Sequence, residues 1–258
     1  MSSPATEFLQ RLLPVAGAAG FRHRSYGKAD GTDLVVLERS GRAGAPHLYL
    51  SAGIHGDEPA GPEAICRLLE QPHHLPDFRW TLFPLLNPAG YNLGTRENAA
   101  GLDLNRDYRS PLAPETIAHR SVLENLGPLD LVIALHEDWE SRGFYLYELN
   151  AAGLDGMAEK VLSAAACEGP IDLDSEIDGR PAANGVVHAP IDRFDDRQDW
   201  PEQILLFRTR TRLCYTFETP STLPLEVRIR QHLAACRSAF DLMESRSHQP
   251  PSSPDRTR

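Results

Sequence analysis

His55 and Glu58, in the segment HLYLSAGIHGDEPAG, stand three residues apart just beyond a run of strand-forming residues. In a turn, an imidazole and a carboxylate at that spacing can converge on one cation, and zinc accepts both at about 2 Å. Alone, the pair reads first as a turn histidine and a helix-start glutamate favoured by the helix dipole. His136 changes that balance. It ends a second apolar run, DLVIALHEDW, where a third ligand can stand at the end of a neighbouring strand. Two ligands close in sequence and one far along the chain is the usual spacing of catalytic zinc, which joins three protein ligands to a water.

Between these segments lies NPAGYNLGTRENAAGLDLNRDY, where Arg96, Asp103, Asn105 and Arg106 surround a glycine-containing turn. This is not core-building material. The planar fork of Arg106 can grip a carboxylate through two hydrogen bonds, with Asn105 beside it. Arg96 can steady a developing oxyanion. Further on, the run LCYTF ends in Glu218, a carboxylate placed to take the proton from an attacking water.

These residues need a scaffold whose strand ends meet. β-branched or aromatic runs predict strands at Leu34–Leu37, His47–Ala52, Trp80–Leu86, Asp130–Leu135, Phe144–Glu148, Ile204–Phe207 and Leu213–Phe217. Helical patterns lie between several of them. One starts at Pro59, with Ile65, Leu68 and Leu69 inward. A second opens at Pro114 and Glu115. A third spans Leu154 to Leu162, and a last carries Ile229, Leu233, Cys236 and Phe240 as a stripe. Strand followed by helix, repeated, predicts a single-domain α/β three-layer sandwich with a mixed, mostly parallel sheet covered by helices on both faces. Ligands of such sheets bind at the carboxyl ends of the strands. The Asp-, Gly- and Pro-rich stretch Glu168–Arg197 reads as long loops. Residues 1–246 form the expected catalytic domain, and residues 247–258 (SHQPPSSPDRTR) a disordered tail.

The 258 residues are 41% hydrophobic, enough for one sizeable core, and carry 26 Lys and Arg against 36 Asp and Glu, a net charge of -10. An acidic surface repels phosphate backbones, so no nucleic-acid partner is expected. Cys66, Cys167, Cys214 and Cys236 are widely spaced and form no disulfide framework; Cys214 and Cys236 read as small buried hydrophobes. The first twenty residues lack the basic and apolar blocks of a signal peptide, and no apolar run is long enough to span a bilayer. The expectation is a cytoplasmic protein without a membrane partner.

Taken together, the segments resemble the zinc metallocarboxypeptidase family, the carboxypeptidase A superfamily. That group includes bacterial murein peptide amidases and, more distantly, succinylglutamate desuccinylase and aspartoacylase deacylases. The resemblance rests on G-I-H-G-D-E at Gly53–Glu58, N-P-A-G-Y at Asn87–Tyr91, R-E-N-A-A-G-L-D-L-N-R at Arg96–Arg106, A-L-H at Ala134–His136 and F-E-T-P at Phe217–Pro220. All five occur in the family's order. The resemblance implies one zinc per chain held by His55, Glu58 and His136, with Glu218 as the base. It implies that Arg96 polarises the scissile carbonyl, that Asn105 and Arg106 hold the substrate's terminal carboxylate, and that Asp103 orients His55.

Two departures accompany it. The family's peptidases usually bring a tyrosine over the substrate shortly before the base, and FDDRQDWPEQILLF contains none. The chain is also shorter than secreted carboxypeptidases. The implied substrate is a small peptide, or an N-acyl amino acid if the chain is a deacylase. The ten-residue step from Arg96 to Arg106 resembles the peptidase and amidase branch. A catalytically dead binding module would have lost one of the charged groups, and all are present. His47, His73, His74, His119, His188, His232 and His248 have no partners at ligand spacing and read as solvated or satisfied side chains. Glu137, Asp138, Glu140, Asp195, Asp196 and Asp199 crowd the pocket segments, and where they face the cavity an acidic substrate side chain is disfavoured.

Overall fold

The computed structural model describes residues 2–151, 157–188 and 191–247. Among them, ten strands form one sheet: β1 (Arg22–Ala29), β2 (Thr32–Arg39), β3 (His47–Ala52), β4 (Arg79–Phe83), β5 (Leu131–Asp138), β6 (Tyr145–Asn150), β7 (Glu176–Ile177), β8 (Arg180–Ala183), β9 (Val186–His188) and β10 (Leu213–Pro220). Their order is β1-β2-β4-β3-β5-β10-β6-β9-β8-β7. The sheet is mixed. Strands β4, β3, β5 and β10 run parallel at its centre, and antiparallel pairs flank them.

The central strands are mostly apolar and almost wholly buried because both faces are covered. In β3, Leu48, Leu50 and Ala52 join one core cluster while Tyr49 joins the other. The first cluster packs beneath α1 (Pro4–Ala18), α2 (Ala60–Leu69), α5 (Met157–Ala166) and α7 (Leu225–Ser247). The second packs beneath α4 (Pro114–Glu124) and α6 (Glu202–Thr209); the short helix α3 (Pro88–Leu93) lies against the turn that carries His55. Fully burying one leucine contributes about 1.5–3 kcal/mol, so each helix face holds its place firmly.

Two readings of the sequence are corrected, and two elements were not anticipated. Ile204–Phe207 is not a strand but the middle of α6, which Pro201 and Glu202 open. A four-residue apolar run does not separate helix from strand by itself, and the proline–glutamate start was the deciding signal. Glu168–Arg197 is not simply loop: β7, β8 and β9 lie within it as two tight hairpins. Their turns are Asp178-Gly179 and Asn184-Gly185, all four residues at positive φ, the signature of two-residue hairpins. The same signature at Asp30-Gly31 joins β1, which has no counterpart among the expected strands, to β2. Helix α1, also unanticipated, starts at Pro4 behind a Ser3 cap. Leu154 and the tail after Ser247 lie outside the described residues.

Candidate active site

The motif Gly53–Glu58 turns off the end of β3, and its backbone presses against the start of α3. A Cβ on Gly56 would come within 1.9 Å of the Gly90 carbonyl carbon. The two motifs therefore fit only through glycine. Asn87 fastens this junction: its carbonyl oxygen accepts the Gly90 N–H at 2.8 Å, and its amide donates to the carbonyls of Ile54 and Arg96 at 3.2 and 3.3 Å. The residues flanking His55 and those preceding Asp103 are thus held by one buried side chain.

His55, Glu58 and His136 come together as expected. One ligand atom from each lies within 4.8 Å of the others, and all three residues are buried. His55 Nδ1 stands 2.6 Å from one Glu58 oxygen and His136 Nδ1 2.9 Å from the other. Despite complete burial, the two flanking imidazoles hold Glu58 well below the usual carboxylate range. Burial pulls His55 down, but Glu58 and Asp103 outweigh it and raise the imidazole to about 9. Burial pushes His136 down. Two imidazoles aimed at one buried carboxylate, one of them made strongly basic, form a donor set that calls for a positive charge at its centre. Among the described residues no other group of this kind occurs, and this one fits a divalent metal ion.

Asp103 sits behind His55, accepting from His55 Nε2 at 3.2 Å and from Arg96 Nε at 3.0 Å. Burial opposes its ionisation, but His55 and Arg96 keep its carboxyl well below the usual range. It also accepts the Asn105 N–H at 2.8 Å, capping the short turn Leu104–Arg106. Arg96 lies 3.8 Å from Glu58 and lines the cavity. The Asn105 side-chain oxygen accepts the Glu202 backbone N–H at 3.0 Å, which ties this turn to the start of α6. Arg106 is exposed and lies 3.5 Å from Asp199.

Glu218 stands on β10 opposite His136. Burial and the neighbouring charge of Glu58 push its carboxyl well above the usual range. All of these residues except Asp103 line one cavity of about 710 Å³.

The cavity also has walls that sequence reasoning missed. Tyr145 and Tyr147 alternate along β6 and face it with Leu149, a spacing legible in FYLYELN. Gln203 and Ile204 of α6 contribute another wall, hidden by reading that helix as a strand. The acidic residues split. Asp138, Glu140 and Asp196 line the cavity, but so do Arg180, Arg193 and Arg197, and Asp195 pairs with Arg208. With Glu137 also among the lining residues, four of the six acidic residues named from the sequence line the cavity, and the three arginines beside them make the charge of this wall mixed.

Beneath α6 lies a buried chain of hydrogen bonds that the sequence did not disclose. Tyr108 O–H donates to His119 Nδ1 at 2.7 Å. His119 Nε2 then donates to the Tyr49 oxygen at 3.0 Å, and Tyr49 O–H donates to Glu202. Ser51 donates to the other Glu202 oxygen at 2.8 Å. His47 and His232 are likewise buried, each bonded through Nε2, to Thr81 and Thr219, while the Nδ1 of each is buried without a hydrogen-bond partner among the described residues.

Residues 44–179 match the succinylglutamate desuccinylase/aspartoacylase catalytic domain. A protein from Shewanella amazonensis, provisionally named a metallopeptidase, is 25% identical with a TM-score of 0.82, over 93% of each chain. A metallo-carboxypeptidase from Burkholderia cenocepacia is 17% identical with a TM-score of 0.68, covering 92% of this chain and 68% of that one. One from Pseudomonas aeruginosa, in complex with (2-guanidinoethylmercapto)succinic acid, is 18% identical with a TM-score of 0.67, covering 91% and 68%. Carboxypeptidase SOL1 of Arabidopsis thaliana is 32% identical over 106 residues; the match spans 35% of this chain and only 22% of that protein. The fold is that of the metallo-carboxypeptidases, and the relatives' names support a metal-using hydrolase. The chain belongs to the succinylglutamate desuccinylase/aspartoacylase catalytic-domain family. No helix among the described residues is long and apolar enough to cross a membrane.

Proposed function

We propose that this protein is a zinc-dependent metallocarboxypeptidase that hydrolyses an amide bond next to a free carboxylate in a small peptide. The observation that carries this reading is the convergence of three kinds of group on one cavity: the His55–Glu58–His136 donor set, the Glu218 carboxyl, and the cationic and amide side chains of Arg96, Asn105 and Arg106. His55, Glu58 and His136 would hold the zinc, with Asp103 fixing the His55 ring. When bound, zinc supplies a Lewis acid and makes water acidic enough to attack near neutral pH.

The remaining work falls to the chain's own groups. Glu218 takes the proton of the attacking water on a carboxylate oxygen and passes it to the departing amine nitrogen. A carboxyl raised by burial suits a group that must both accept and release a proton. Arg96 lends positive charge to the carbonyl oxygen as it becomes an oxyanion. Arg106 and the Asn105 amide bind the substrate's carboxylate and so fix which amide bond reaches Glu218.

A second reading, hydrolysis of an N-acyl amino acid with the same machinery, is favoured by the family match and by Arg180, Arg193 and Arg197 around the cavity. The test joins metal analysis to a substrate panel. Purified protein should carry about one zinc per chain, and His55→Ala or His136→Ala should lose both metal and activity while staying folded. Full zinc in His136→Ala sinks the metal assignment. No release of amine from any free-acid peptide or N-acyl amino acid sinks the hydrolase reading.

A further inference from the structure

Glu137 follows His136 directly, yet its carboxylate is fully enclosed and engages two other elements. One oxygen accepts the Ala60 backbone N–H at 2.6 Å, and the other accepts from the Arg228 guanidinium of α7. Ala60 is the first residue of α2, which begins just after Glu58. Pro59, at the cap position, makes no side-chain cap bond. Glu137 supplies that cap from β5: an acceptor for an orphan N–H, and a negative charge at the positive end of the helix dipole. Arg228, whose side chain is only 12% exposed, balances the charge. Among the described residues its guanidinium has no other hydrogen-bond partner.

The location gives this contact its meaning. The ladder between β3 and β5 ends at Ala52 opposite Leu135. His55, Glu58 and His136 all lie beyond that last paired position, where sheet hydrogen bonds between these two strands no longer fix their separation. Apart from the His136–Glu58 contact of the site itself, the carboxylate of Glu137 ties the two segments together, one residue from His136 and, through Ala60, two from Glu58. We propose that Glu137 and Arg228 are positioning residues that hold the end of β5 against the start of α2 and so set the spacing of the metal ligands. This rests on the metal site under Proposed function.

The experiment follows the metal directly. Wild-type protein and the variants Glu137→Ala, Glu137→Gln and Arg228→Met are loaded with zinc, and its release to a chelator is timed. The same proteins substituted with cobalt report ligand geometry through their absorption spectra, while circular dichroism checks folding. Glu137→Ala and Arg228→Met should bind zinc about 10–100-fold more weakly and show altered cobalt spectra, as when groups supporting metal ligands are removed. Glu137→Gln keeps an acceptor for the Ala60 N–H and should recover part of the loss. Arg230→Met removes an exposed pair on the same helix and should release zinc like the wild type. Should Glu137→Ala fail to fold, Glu137→Gln and Arg228→Met decide. Folded variants with wild-type zinc release and wild-type cobalt spectra overturn the clamp while leaving the metal site standing. A wild-type protein that takes up no zinc overturns the metal site and the clamp with it.

Discussion

Glu218 stands directly across from His136 in the parallel pairing of β10 with β5, and across from Tyr145 in the antiparallel pairing with β6. Register therefore brings a candidate metal ligand, a candidate proton acceptor and an aromatic wall to one level of the sheet. Slipping β10 by one residue would turn Glu218 to the opposite face and bring up Phe217, a core residue.

That placement makes Glu218→Gln the most direct test of the base. The amide keeps the shape and cannot accept the proton, so kcat should fall about a hundred- to ten-thousand-fold while zinc content and substrate binding persist. Near wild-type turnover would make Glu218 structural and send the search for the base elsewhere in the cavity.

Gly56→Ala tests the junction beneath the metal ligands. The new methyl meets backbone atoms of Gly90 and Tyr91, which cannot swing aside as a flexible side chain can. Overpacking typically costs about 1–3 kcal/mol, and rigid backbone on the far side favours the upper end. Both the denaturation midpoint and zinc affinity should fall, because the displaced turn carries His55. An unchanged midpoint would mean that this contact is looser than the geometry requires.

How much of this was legible depended on the kind of signal. His47–Ala52 could be read as a strand to the residue because burial on both faces favours a run dominated by Leu and Tyr. The convergence of His55, Glu58 and His136 could be read because an imidazole and a carboxylate in one turn, with a second imidazole at another strand end, were expected to meet. What escaped was carried by pairing between distant segments. Nothing local marks Glu137 as the cap of α2, 77 residues earlier in the chain, or Glu202 as the end of a hydrogen-bond chain starting at Tyr108. The hairpins at Asp178-Gly179 and Asn184-Gly185 were legible in principle, but strands of two to four residues are too short to show alternation.

The Glu202 network gives a pH prediction. Burial raises its carboxyl from about 4.5 to about 7, although bonds from Tyr49 and Ser51 pull the other way. Between those values the folded chain keeps a proton that the unfolded chain has released. The stability linked to Glu202 is therefore full below about pH 4.5 and is lost as pH rises through about 7. Glu202→Gln removes this dependence, so stability relative to wild type should improve from about pH 5 to pH 7 and level off above it. Urea titrations of the metal-free proteins measure it, since chelation removes the competing pH dependence of metal binding. A gap between the two proteins that stays constant across that range would exclude Glu202 as the titrating group.

The last prediction concerns what the cavity accepts. If Arg106 and Asn105 bind a terminal carboxylate, converting that carboxylate to an amide leaves a charged fork without its partner. The loss should be about a hundredfold or more in kcat/KM. Arg106→Met should impose a similar penalty on the free acid and almost none on the amide, because the contact it removes is already missing there. The Asp199 ion pair works against the substrate, since an acidic side chain 3.5 Å from Arg106 competes for the same guanidinium. Both partners are substantially exposed, so that competition is weak and Asp199→Asn should lower KM only severalfold, with kcat unchanged. The neighbouring subsite decides between peptide and N-acyl amino acid. Leu149, Ile204 and Gln203 offer an apolar wall with one amide, while Arg180, Arg193 and Arg197 offer positive charge. Matched dipeptides ending in Leu, Lys and Glu, compared with N-succinyl-glutamate and N-acetyl-aspartate, separate the two chemistries. Preference for a dipeptide supports the carboxypeptidase, whereas preference for either acylated acidic amino acid over every peptide replaces it with the deacylase. Equal rates on amidated and free-acid peptides would remove Arg106 from carboxylate binding altogether.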